Sequence, residues 1–191
     1  MNFPATIERF VEFARSTDLD IYNEFALQFE LSFYLKKALG KDFKILLERN
    51  ISYLNLGTDL VKKEIDIIVF RNIASLSDLI VVELKAIIDQ KKARPISIFN
   101  WTKDIKFLEQ LKSSGVGYCY SLFVTDNEKL LSEGTTSNSS TTLRLLPDFR
   151  QRKIHGTYST HATQSKESKT ISLGSEYTFK RKNLLMDRDI S

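Results

Sequence analysis

The sequence predicts an α/β fold whose core elements run helix, three strands, helix, strand. Three observations predict it. The stretches 63–70 (Lys-Glu-Ile-Asp-Ile-Ile-Val-Phe) and 79–88 (Leu-Ile-Val-Val-Glu-Leu-Lys-Ala-Ile-Ile) are dominated by branched aliphatic residues and are too short for a comfortable helix. Helical periodicity flanks them, over 21–39 before and 101–113 after. A further β-rich run, 117–125, closes the series. Short strands alternating with longer helical stretches are the pattern of a sheet covered by helices.

Each element has its own local reason. Residues 7–16 carry Ile7, Phe10, Val11 and Ala14 as an apolar stripe and stop at Ser16-Thr17-Asp18. Asp20 is placed to cap the helix 21–39, which ends at Gly40. Leu27, Leu31, Tyr34 and Leu35 form its expected core stripe, with Phe25, Phe29 and Phe33 expected to thicken it. Residues 43–56 read as an edge strand centred on 44–51, and Gly57-Thr58-Asp59 turns the chain toward 63–70. The polar segment 71–78 suits a hairpin connection. Pro95 keeps the polar segment 89–95 out of any central strand. The helix over 101–113 sets Ile105, Leu108 and Leu111 toward the core, and the strand 117–125 ends at Asp126-Asn127.

At 191 residues, 42% hydrophobic and 27% charged, the chain is expected to be one globular domain with a substantial core. It has no basic, apolar leader at its start and no stretch of about 18 apolar residues, so a cytoplasmic protein with no membrane partner is expected. Cys119 is the single cysteine, which excludes an intramolecular disulfide and a cysteine metal cluster; it reads as core. The formal charge of +4 is uneven: residues 1–132 balance 18 basic against 18 acidic side chains, whereas 133–191 hold 10 against 6. Residues 1–132 are therefore expected to form the core. Residues 133–191 are expected to form a mobile polar loop (133–142) followed by a basic β extension of the same domain, with short strands near 153–158, 170–173 and 177–179 forming a peripheral hairpin. His155 and His161 are poorly spaced for a metal site.

The acidic residues inside the two apolar runs are what point to chemistry. Side chains alternate across a strand, so Val81, Glu83 and Lys85 share one face while Glu64 and Asp66 share a face of the preceding run. A carboxylate among Val and Ile is costly to bury unless it is paired or binds a metal. Several such charges on neighbouring strands suggest one site. The bland alternative is a strand-surface ion pair between Glu83 and Lys85.

Asp66, a gap of 16 residues, then Glu83-Leu84-Lys85 resembles the motif of the PD-(D/E)XK nuclease superfamily, the metal-dependent nucleases of restriction-endonuclease-like fold. Ile65 stands where the family usually has proline. Glu64-Ile65-Asp66-Ile67 is similar to the Glu-Ile-Asp-Leu variant of nuclease-like proteins related to Holliday junction resolvases, and Asn23 to Leu31 resembles a signature of a sparsely characterised bacterial group of the superfamily. The resemblance implies an αβββαβ core with a mixed central sheet flanked by helices. It implies that Asp66 and Glu83 hold Mg²⁺ or Mn²⁺, with the Leu84 carbonyl as a further ligand. A glutamate on the preceding helix, often ten residues before its closing glycine, joins them in the family; Glu30 fits that spacing to Gly40 better than Glu24 does. Lys85, about 7 Å along the strand from Glu83, would orient the attacking water or stabilise the transition state, leaving a 5′-phosphate and a 3′-hydroxyl.

Phosphodiester hydrolysis brings an anionic nucleophile to an anionic phosphate, so a divalent cation in carboxylate ligands suits it. DNA is the expected partner. Lys91, Lys92 and Arg94 are candidate phosphate contacts; Gln110, ahead of Lys103, Asp104 and Lys106, is the candidate from the later helix. A symmetric dimer would suit cutting of both strands and a monomer would suit nicking. The alternative function is a catalytically inactive nucleic-acid-binding or protein-interaction module on the same fold. An RNA nuclease has no aromatic and basic signature behind it.

Overall fold

The computed structural model describes residues 2–57, 59–71, 75–88, 95–126, 153–159 and 169–178. The elements are helices α1 (Phe3–Ser16), α2 (Glu24–Leu39) and α3 (Pro95–Ser113), and strands β1 (Lys44–Asn50), β2 (Glu64–Phe70), β3 (Ile80–Ile87), β4 (Tyr118–Thr125), β5 (Lys153–Ile154), β6 (Thr157–Ser159), β7 (Thr170–Ser172) and β8 (Tyr177–Thr178). The fold is mixed α/β: a four-stranded sheet in the order β1-β2-β3-β4, antiparallel across β1/β2 and β2/β3 and parallel across β3/β4. The parallel pair follows from the crossover through α3, which returns the chain beside β3 in the same direction. No helix among the described residues is long and apolar enough to cross a membrane.

Period-two alternation sorts the sheet into two buried faces. Ile67, Val69, Ile80, Val82 and Leu84 pack with Phe3 and Phe10 of α1 and Leu27, Leu31 and Leu35 of α2. Ile68, Phe70 and Val81 face Phe107, Leu108 and Leu111 of α3. Both faces being covered explains why β2 and β3 read as nearly continuous aliphatic runs.

Local chemistry sets the boundaries. Asn23, not Asp20, caps α2: its Oδ1 accepts the Ala26 N–H at 2.7 Å, so the helix begins three residues later than periodicity predicts. Gly40 ends it with φ of 74°. Strand β1 stops at Asn50, whose side chain caps the 3₁₀ turn Ile51–Leu54. Pro95 opens α3 six residues before the expected start, at a position where a missing N–H costs nothing. Phe25, Phe29 and Phe33 do not enter the core; they are 70%, 56% and 66% exposed. Leu27, Leu31 and Leu35 already occupy the inward face, and at about 100° per residue the three phenylalanines fall on the opposite side of the helix. Cys119 is half-buried.

The C-terminal strands form two short antiparallel ladders, β5 with β8 and β6 with β7, in place of a single hairpin. They are not peripheral. Ile154, Tyr158, Ile171 and Leu173 bury against Ile87 and against Ile98, Phe99, Trp101 and Ile105 of α3 in a third apolar cluster. The polar loop 133–142, His161 and Lys91, Lys92 and Arg94 lie outside the described residues.

Glu109 fastens these ladders to α3. Its carboxylate accepts hydrogen bonds from the N–H groups of Gly174 and Ser175, from the Tyr177 hydroxyl and from Lys106. Burial works against its ionisation, but these donors outweigh it and hold the carboxyl below the ordinary glutamate range. A depressed folded pKa contributes stability above the unfolded value, and that contribution is lost as pH falls through the folded value. Acidification below about pH 4.5 is therefore expected to release the β7–β8 connection from α3. The amide resonances of Gly174 and Ser175 should move with that titration in the parent and stay still in Glu109→Gln.

Gly117 marks a close approach of backbones. A Cβ there would lie 1.7 Å from the Ser77 carbonyl oxygen, and the Gly117 N–H donates to the Leu76 carbonyl at 3.0 Å. Gly117→Ala must push apart the turn before β3 and the start of β4. A loss of about 1–3 kcal/mol or more, as for overpacking elsewhere, is the expected outcome in urea unfolding.

Candidate functional site

The antiparallel ladder of β2 with β3 pairs Val69 with Ile80, Ile68 with Val81 and Ile67 with Val82. The next positions are Asp66 and Glu83, and there side chains take over from backbone. Asp66 Oδ2 accepts the Leu84 N–H at 2.7 Å, and Glu83 Oε1 lies 3.4 Å from the Asp66 N–H. The two carboxylates thus satisfy amides that continued pairing would have used, and both are buried, Glu83 completely. Gln28 of α2 also fixes this strand: its Nε2 donates to the Asp66 carbonyl at 2.9 Å and to Glu48 Oε1 at 2.6 Å. Glu48 sits at φ of 49°, a left-handed conformation unusual for a non-glycine residue within a strand.

Two lysines and two further acids complete the cluster. Lys62, in the turn before β2, bonds Asp66 Oδ1 at 2.9 Å and Glu83 Oε2, and its ammonium lies 3.6 Å from Asp104 Oδ1. Lys85 bonds Glu24 of α2 at 2.7 Å and lies 3.9 Å from Asp104 Oδ2. Glu24 also accepts the Ala86 N–H at 3.3 Å. Asp104 of α3 is only 6% exposed, yet its Oδ2 has no hydrogen-bond partner. Such an orphaned carboxylate oxygen is costly to bury. Four carboxylates face two ammonium groups, so the cluster carries an excess of two negative charges when fully ionised.

That excess is visible in the electrostatics. Burial, reinforced by Asp66, pushes Glu83 well above the ordinary glutamate range despite the pull of Lys62. Burial likewise pushes Asp104 up to about 6, against the opposing effect of Lys62 and Lys85. For Lys62 burial alone would lower the pKa, but Glu83, Asp104 and Asp66 outweigh it and hold the ammonium protonated far above neutrality.

No family model, curated protein or solved structure matches the chain.

Asp66, Glu83 and Lys85 stand together, and the Leu84 N–H is bound into the same cluster. Glu30 is not among the residues that contact them. It lies about 200° around α2 from Gln28, whereas Glu24, one turn before Gln28, reaches Lys85. Of the two glutamates weighed on α2, it is Glu24 that reaches the cluster. Gln110 braces the turn that carries Lys62, its Oε1 accepting the Val61 N–H at 2.8 Å and its Nε2 lying 3.4 Å from the Asp59 carbonyl.

Two members of the site stand out less in the sequence than in the structure. Asp104, which ranks behind Gln110 on sequence, had a readable signal: it precedes Leu108 and Leu111 by one and two turns and so is an acid on the buried stripe of α3. Lys62 had none, because its role depends on how the turn before β2 folds back toward Asp66 and Glu83.

The donor set suits a hard divalent cation, being carboxylate oxygens with one of them orphaned. Among the described residues, however, no three His, Cys, Asp or Glu side chains already stand in a metal-holding arrangement. The Lys62 ammonium stands between the carboxylates instead.

Proposed function

We propose that the chain is a nuclease of restriction-endonuclease-like fold that hydrolyses DNA phosphodiester bonds with the help of Mg²⁺ or Mn²⁺. The observation that carries this reading is the meeting of Asp66 and Glu83 at the open end of the β2/β3 ladder, beside Lys85 and the orphaned oxygen of Asp104. The succession α2, β1, β2, β3, α3, β4 and the mixed sheet are compatible with it.

Asp66, Glu83 and Asp104 would hold the cation, with Lys62 yielding its place between them. The cation would acidify water and offset the negative charge that develops on the phosphate. The chain's own groups have distinct roles. Asp66 and Glu83 are held where the β2/β3 ladder ends by the Leu84 and Asp66 amides, which restricts their orientation. Lys85 supplies a positive charge for a phosphate oxygen or for the attacking water, and Glu24 holds its ammonium at the rim of the site. Asp104 brings a buried carboxylate oxygen with no hydrogen-bond partner to the same place.

A second reading has an observation in its favour. Lys62 already bonds both Asp66 and Glu83, which is how a self-contained ion-pair network in a non-catalytic binding module would look. Supercoiled plasmid, linear duplex, single strands and branched DNA, each incubated with the purified protein in Mg²⁺, in Mn²⁺ and in excess chelator, separate the two. Cation-dependent cutting of at least one substrate supports the nuclease. DNA retained in a gel shift but uncut in every metal supports the binding module.

A further inference from the structure

We propose that the outer face of α2 is a self-association surface, on which a second copy of this chain packs its own α2 in antiparallel orientation. Tyr22, just before the helix, and Phe25, Phe29 and Phe33 along it are 62%, 70%, 56% and 66% exposed. The three phenylalanines recur at every fourth position and lie roughly opposite Leu27, Leu31 and Leu35, which bind the helix to the sheet. None of the four takes part in the apolar clusters of the described residues. At roughly 200 Å² per aromatic side chain, they present roughly 500 Å² of continuous ring surface to water. That is near the upper end of the largest patch on a typical monomer.

Area, symmetry and charge all favour a second copy as the occupant. Two such stripes buried together remove roughly 1,000 Å² from the rings alone, the lower bound for a specific interface before any flanking residue is counted. Phe25 and Phe33 stand four residues to either side of Phe29, so the stripe is self-complementary about a two-fold axis through Phe29. Antiparallel pairing then sets Phe25 on the partner's Phe33 and Phe29 on the partner's Phe29, where offset ring contacts are available. Asp18 and Asp20 lie exposed before the N-terminus of α2, and Lys37 and Lys41 lie exposed around its C-terminus. Antiparallel pairing opposes acids to lysines and opposes the helix dipoles favourably; parallel pairing would set like against like. Glu24, Gln28 and the carboxylate site face the other way, toward the sheet. The surface is therefore independent of the chemistry proposed above.

The test is sedimentation velocity of the full chain over a hundredfold concentration range, beside Phe29→Glu. The parent is expected to dimerise and Phe29→Glu to remain monomeric, with the unfolding midpoint that the parent shows when diluted to monomer, since position 29 is exposed in the single chain. Geometry is read in a Cys119→Ser background with a short bis-maleimide. Phe29→Cys should cross-link to a covalent dimer in high yield, Phe25→Cys alone poorly, and a mixture of Phe25→Cys with Phe33→Cys well. A monomeric parent at every concentration overturns the proposal, and so does a dimer indifferent to Phe29→Glu. Equal self-cross-linking at all three positions overturns the antiparallel arrangement.

Discussion

Lys62→Ala is expected to lower the unfolding free energy by about 3–5 kcal/mol at pH 7, the loss typical of removing one partner from a buried ion pair. The ammonium is shared by Asp66 and Glu83 and approaches Asp104, so its removal leaves several largely buried carboxylates facing one another with no adjacent cation but Lys85. The size of the effect comes from the charges left behind. Lowering the pH should shrink it, because Glu83 and Asp104 both have elevated pKa values and neutralise first. The sign follows from linkage: a carboxyl whose folded pKa is raised binds more protons folded than unfolded, so its contribution to stability falls as pH rises. For Asp104 that window runs from the ordinary value of 3.8 to about 6. Adding Glu83→Gln to Lys62→Ala should recover part of the loss, a coupling readable in a double-mutant cycle. Urea unfolding at pH 5 and pH 7 measures both. A loss below about 1 kcal/mol, the range of exposed ion pairs, would show that the cluster is effectively solvated.

Asp66→Asn is expected to reduce cleavage by at least about 10²–10³-fold, the scale on which a single electrostatic group acts in a catalytic site. Fold should survive, because an asparagine carbonyl oxygen can still accept the Leu84 N–H that Asp66 Oδ2 accepts at 2.7 Å, and Lys62 keeps Glu83 as a partner when its ion pair with Asp66 is lost. What disappears is a negative charge beside Glu83 and Asp104, and with it a ligand of the proposed divalent cation. Single-turnover cleavage of the best substrate, together with the unfolding midpoint, separates the two effects. Lost cleavage with an unchanged midpoint assigns Asp66 to the chemistry; lost cleavage with lost fold assigns it to structure.

The sheet was legible in sequence because β2 and β3 are buried on both faces and so had to be continuous aliphatic runs. The same fact exposed Asp66, Glu83 and Lys85, charges where only apolar residues were expected. Helix α2 was legible as a helix but not in its phase. It carries more apolar residues than one face can bury, so Phe25, Phe29 and Phe33 looked like core when Leu27, Leu31 and Leu35 had already filled it. Fixing the phase by those leucines places Glu24 over the sheet and Glu30 away from it. The spacing to Gly40 carried no such angular information. Asp104 is legible as the one acid on the buried stripe of α3. Lys62 carries no such signal: only the folded turn, braced by Gln110, brings it to Asp66 and Glu83. Element boundaries missed by three to six residues where side chains decide them, as Asn23 does for α2 and Pro95 for α3.

Calorimetric titration of Mg²⁺ and Mn²⁺ into the parent and into Asp66→Asn tests most directly whether the carboxylate cluster takes up a divalent cation. Saturable binding of about one cation per chain to the parent, weakened at least tenfold in Asp66→Asn, is the predicted result. No heat of binding with either metal, or equal binding by both proteins, would contradict it and leave Lys62 as the cation the site was built around.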